Sequence, residues 1–144
     1  MTDIAFHFNV PDKLVYACRF ARRAQRSDSQ LVIAADAETL EALDRMLWQI
    51  APQDFVAHCV AGADEDLVRA SPVFLATDAG SCMHHDVLLN LMDAVPHGFE
   101  RFDRLVEVVS AVDQSDRLQA RARWRHYESC GYAISSYAHD SKGG

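Results

Sequence analysis

The chain is poor in glycine and proline, with six and four among 144 residues. That excludes a collagen-like or low-complexity polymer. No stretch approaches the roughly 20 apolar residues of a membrane span. The start, Met1-Thr2-Asp3-Ile4-Ala5-Phe6, lacks the basic segment and long apolar run of a signal peptide. A soluble, cytoplasmic protein is predicted. Glycine-rich phosphate loops are missing too. Asn9-Val10-Pro11-Asp12 stands where a G-x-G-x-x-G would follow the first strand, and neither G-x-x-x-x-G-K-S/T nor G-x-S-x-G occurs. Dinucleotide, P-loop and hydrolase chemistry lose their usual signatures. Cys18, Cys59, Cys82 and Cys130 form no C-x-x-C pair, so they read as reduced, small hydrophobes. Lysine is scarce. Only Lys13 and Lys142 are lysines, and the other twelve cations are arginine.

What is present suits a globular protein: 49% hydrophobic and 24% charged residues. One domain over residues 1–138 is expected, with a mobile tail over 139–144. The net charge of −7 argues against broad nonspecific nucleic-acid binding. Its distribution is uneven. Ser27 to Asp113 holds 16 acidic residues against four arginines, whereas five cations crowd between Lys13 and Arg26 and four more are Arg117, Arg121, Arg123 and Arg125.

Residues 3–9 alternate like a strand, with Ile4, Phe6 and Phe8 on one face. Residues 11–26 read as a helix burying Leu14, Cys18, Ala21 and Gln25, with Pro11 in its first turn. Leu31 to Ala35 is an apolar run typical of a strand buried on both faces. Asp36 is a candidate N-cap for a helix running to about Ile50. Phe55 to His58 and Tyr132 to Tyr137 read as short extended pieces. Val73–Ala76, Val87–Leu91 and Leu105–Val109 complete about five strands. A last helix spans Asp113 to Ser129, and Gly131 suits its C-terminal cap. This alternation predicts a three-layer α/β/α domain with a mostly parallel sheet.

Candidate chemistry is sparse. Asp36 and Asp78 end strands, where parallel sheets bind ligands, but caps and turns explain them better than a metal. Cys82, His84, His85 and Asp86 are metal-ligand types without zinc-like spacing, and read as an exposed polar loop. His58-Cys59 lacks an oxyanion-hole motif. No catalytic residue, cofactor or metal site is expected. On the last helix, Arg117, Arg121, Trp124 and Glu128 share a stripe, with Arg125 at its edge. Cations around a tryptophan suit an acidic peptide or a phosphate backbone. Equally, they suit a solvated arginine face with Trp124 tucked into the core. Trp48 and Phe55 read as core or as an apolar docking patch.

These segments together resemble the chi subunit family of bacterial DNA polymerase III. The resemblance rests on Ala5-Phe6-His7-Phe8, Cys18, the run Leu43, Asp44, Leu47 and Trp48, and then Phe55, Val56 and His58. It continues through Glu107-Val108-Val109, Ala120, Arg121, Arg123, Trp124 and Tyr127, and ends in Gly131-Tyr132. It covers essentially the whole chain. It implies a Rossmann-like fold and a noncatalytic accessory subunit of the polymerase holoenzyme. The partners it implies are the acidic C-terminal tail of single-stranded DNA-binding protein (SSB) and, where present, the psi subunit of the clamp loader. The tail site would map to Arg117, Arg121, Trp124 and Arg125, with Val112 as a wall. The psi-facing patch would map to Trp48 and Phe55. DNA contact would be mainly indirect. Two alternatives remain: an SSB-tail adaptor for a repair helicase, and a nucleotide-binding or small-molecule enzyme using Asp36 and Asp78.

Overall fold

A computed structural model describes residues 2–27, 29–49, 58–60, 73–78 and 84–139, the third of these as backbone. The elements are β1 (Asp3–Val10), α1 (Lys13–Arg26), β2 (Leu31–Ala34), α2 (Ala37–Trp48), β3 (His58–Val60), β4 (Val73–Ala76) and β5 (Val87–Asn90). A 3-10 turn (Phe99–Arg101), β6 (Arg104–Ser110), α3 (Gln114–Ser129) and β7 (Ile134–Ala138) follow. The strands form one sheet in the order β3-β4-β2-β5-β6-β1-β7, and every pairing is parallel. The sheet therefore has seven strands instead of about five. One extra strand, β7, overlaps the piece read as extended over Tyr132 to Tyr137. The other, β3, shares only His58 with the piece read over Phe55 to His58, whose first three residues lie outside the described residues. Both strands lie at edges. An edge strand has one ladder to satisfy and an open side, so β7 carries exposed Ser135, Ser136 and Tyr137 and no apolar run.

β2 and β4 are buried at every position, as central strands covered on both faces must be. α1 and α2 cover one face. Tyr16, Ala17, Cys18, Ala21 and Ala24 of α1 and Leu40, Leu43 and Leu47 of α2 pack over Ile33, Leu75, Val106 and Val108. Leu14 and Gln25 are only half-buried. α3 and the 3-10 turn cover the other face, where Phe99, Phe102, Ala120 and Tyr127 meet Ile4, Phe6, Leu88 and Leu105. The three-layer expectation holds.

Helix ends follow local chemistry. α1 begins at Lys13, so Pro11 lies before its first turn, and Asp12 caps it, accepting the amides of Leu14 and Val15. Asp36 caps α2 through the amide of Thr39 at 2.8 Å, and that bond holds its carboxyl below the usual range. α2 ends at Trp48. Asp113 caps α3 through the amide of Asp116. At the other end Gly131 adopts φ +85°. There the amides of Gly131 and Tyr132 reach back to the carbonyls of Glu128 and Tyr127, which closes the helix in the left-handed geometry that glycine tolerates best. Asn9 also has positive φ, at 62°, where the β1–β6 register shifts between His7 and Val10. His139 continues the edge ladder, its amide donating to the Phe8 carbonyl at 2.8 Å. The rest of the expected tail, 140–144, lies outside the described residues.

Candidate functional site

α3 is a polar helix whose buried stripe is not apolar. The positions facing the sheet are Asp116, Ala120, Arg123 and Tyr127, spaced four, three and four apart as one helical face requires. A charged side chain stays buried only with partners. Glu107, fully buried in the middle of β6, provides them. One of its oxygens accepts Arg123 Nε at 3.1 Å and Asn90 Nδ2 at 2.9 Å. The other accepts the Tyr127 hydroxyl at 2.6 Å. Arg123 also donates to the Asp93 carbonyl at 2.7 Å. Burial pushes the Glu107 carboxyl up, and Arg123 opposes that shift. Burial, then the Glu107 charge, pushes the Tyr127 phenol up. At the start of α3, Asp116 accepts Lys13 Nζ at 2.8 Å and the Ser110 amide at 2.8 Å. This tie joins the N-terminal ends of α1 and α3.

These anchors fix which side chains face outward. Trp124 is half-buried, its ring 4.9 Å from that of Phe6. Between α3 and the edge strand runs a groove of about 440 Å³. Phe6, Phe8, Ala120 and Trp124 form its walls, Ser136 of β7 closes it, and Arg121 and Arg125 stand on the helix beside it. Phe8 is 41% exposed. The groove therefore offers an apolar bed next to two guanidinium groups. It can hold a short chain carrying both a hydrophobic side chain and a carboxylate.

Of the predicted residues, the structure brings Arg121, Trp124 and Arg125 into one groove. Arg117 is exposed one turn earlier on α3, and Val112 is 81% exposed before the helix begins. Neither lines the groove. Trp124 packs on Phe6 and also forms a wall of the groove. Arg123, counted among the basic residues, is withdrawn into the core. Phe6, Phe8, Ala120 and Ser136 were not singled out as site residues. The only signal for them was the alternation of Ile4, Phe6 and Phe8, and Phe8 proves to be where that face emerges from under α3.

The other candidates fall elsewhere. Trp48 is 61% exposed at the end of α2, and Phe55 lies outside the described residues. Asp36 is engaged as a cap, and Asp78 faces His97 at 3.7 Å. The reading of 82–86 as an exposed loop needs correction. His84 is buried, edge-on to Phe74, and Asp86 accepts the Gln30 amide at 3.0 Å. His85 is exposed and Cys82 lies outside the described residues. Among the described residues no three His, Cys, Asp or Glu side chains gather into a metal site. The side chains of His58 and Cys59 are likewise not described. Cys18 is buried, its thiol pushed up to about 11 first by burial and then by Asp12, which leaves it a poor nucleophile. No described helix is long and apolar enough to cross a membrane.

Residues 1–135 match the family model described as DNA polymerase III chi subunit, HolC. The chain is similar to the DNA polymerase III subunit chi of Pseudomonas aeruginosa, 30% identical over 126 residues, which is 87% of this chain and 85% of the relative. It is 28% identical over 123 residues to that of Haemophilus influenzae, 83% of each chain. It is 28% identical over 121 residues to that of Escherichia coli, 83% of this chain and 80% of the relative.

Proposed function

The chain belongs to the DNA polymerase III chi subunit family, and on that premise we propose that it is a noncatalytic replication adaptor. Its α3 groove captures the acidic C-terminal tail of SSB. A separate exposed patch around Trp48 at the end of α2 meets psi or another clamp-loader component. The observation that carries this reading is the pairing of the Phe6–Phe8–Trp124 bed with Arg121 and Arg125. A peptide ending in a hydrophobic residue and a free carboxylate matches both halves. Its side chain lies on the aromatics, and its carboxylate takes paired N–H donors from a guanidinium. Neighbouring acidic residues then lie toward Arg117 and raise the encounter rate without fixing the pose.

Calorimetric titration with the last ten or so residues of the cognate SSB tests this reading. The expected result is micromolar binding that weakens with salt and is lost in both Arg121→Ala and Trp124→Ala. Unchanged affinity in both variants overturns the site. Absence of binding at low salt overturns the adaptor reading.

A further inference from the structure

A second groove lies on the opposite face of the same edge strand. β1 and β7 pair Phe6 with Ser136 and His7 with Tyr137. Because side chains alternate along a strand, the first pair faces α3 and the second faces α1. On the α1 side the cavity measures about 880 Å³. Arg19, Arg22, Arg23 and Arg26 of α1 line it, and Arg104 joins them from the start of β6. No carboxylate is among its described lining residues. Tyr16, Tyr137 and His139 supply aromatic surface, and Tyr137 is 55% exposed.

We propose that this groove binds the phosphate backbone of single-stranded nucleic acid. Two features favour that ligand over a second acidic peptide. Arg19 and Arg23, and likewise Arg22 and Arg26, stand four residues apart, so each pair spans about 6 Å along the helix, two parallel rows suited to a chain of regularly spaced charges. Guanidinium groups pair bidentately with phosphate as they do with carboxylate, so spacing and aromatic surface make the distinction. The exposed Tyr137 ring offers a face on which a base stacks, the combination of charge and aromatic platform that sequence-tolerant single-strand binding uses. A cleft lined by one sign of charge concentrates its field even on a molecule whose net charge is −7. His7, at the floor, registers that field. Its pKa is lowered to about 4, first by burial and then by Arg104 and Arg23.

The test is fluorescence anisotropy of a labelled oligothymidine of about 15 nucleotides, near the upper site size of a small single-strand module. Saturable binding at low salt is expected. About three neutralised phosphates correspond to a roughly tenfold to twentyfold loss when salt rises fourfold. Arg19→Glu combined with Arg23→Glu should weaken binding at least tenfold while circular dichroism and SSB-tail titration stay unchanged. Tyr137→Ala, on an exposed edge, should weaken it several-fold. Four results overturn the proposal: no binding at low salt, wild-type affinity in the double reversal, loss caused instead by Arg121→Glu, or displacement by polyglutamate of equal charge at equal concentration. Retained oligonucleotide binding in a protein that ignores the SSB tail supports this groove and fails the adaptor reading alone.

Discussion

The two grooves beside β7 are built from opposite kinds of helix face. α1 buries an apolar stripe, Ala17, Cys18, Ala21 and Ala24, and presents its arginines in a row to solvent and to Tyr137. α3 buries a polar stripe, with Arg123 held by Glu107 inside the core, and leaves Trp124 half-exposed beside Arg121 and Arg125. The difference teaches that arginine content does not by itself define a surface. On α1 the sheet beneath is apolar, so every guanidinium is pushed outward. On α3 a carboxylate in β6 draws one inward, and the vacated face is taken by aromatics from β1. One groove is consequently charge with little apolar bed, and the other an apolar bed edged with charge.

The sharpest way to break this contrast is to remove the carboxylate. Glu107→Leu strands a buried Arg123, and a destabilisation of about 3–5 kcal/mol is expected, read as a shift of the urea midpoint. The α3 groove should lose its ligand under conditions where α1 is still ordered. A cost under about 1 kcal/mol would mean that Arg123 swings out to water, in which case it would no longer distinguish the two helices.

Trp124→Ala removes a wall of one groove only. SSB-tail affinity should fall by at least tenfold, about 1.4 kcal/mol or more, with oligothymidine affinity unaltered. Equal losses for both ligands would show that the grooves are not independent.

The α1 side carries a pH signature of its own. His7 touches the Tyr16 hydroxyl through Nδ1, and its pKa is lowered from 6.5 to about 4. The folded state thus holds the neutral ring while the unfolded chain takes up a proton below about pH 6.5. This contribution is complete above pH 6.5 and is lost as pH falls toward 4. Because the ring is partly exposed, about 1–2 kcal/mol is expected over that window. Chemical denaturation of His7→Gln at both pH values measures it, and an acid limb as steep as in the parent chain would refute it.

Gly131→Ala should have the smallest effect. An added Cβ meets nothing within 4 Å, and the strain comes only from φ +85°. A loss near 1 kcal/mol is expected in the thermal midpoint. Both ligand affinities should remain unchanged, because the cap closes α3 beyond either groove.

The architecture was readable because its signals are local. Leu31 to Ala35 and Val73 to Ala76 are apolar throughout, Asp36 and Asp113 precede helices, and Gly131 follows one. β7 was read only as an extended piece because an edge strand with one exposed face carries no apolar pattern. The candidate site was half readable. Arg121, Trp124 and Arg125 lie within two turns of one helix, so spacing alone puts them together. Phe8 and Ser136 could not be joined to them, since parallel pairing sets neighbours by register and not by distance along the chain. His84 was misplaced for a related reason: a histidine in a polar run becomes core only when Phe74 of a distant strand covers it.

The amino-acid order by itself determined the alternation of strands and helices, the caps, and the two basic helical segments. Tertiary structure decided which of those cations remain cations at the surface. That choice turns on desolvation. A guanidinium enters the core only where a carboxylate and hydrogen-bond acceptors already wait, and Glu107, Asp93 and Arg123 meet only when β6 and α3 pack. The pairing of β6 with β1 placed Arg104 beside the arginines of α1 and completed a groove that the helix alone does not form.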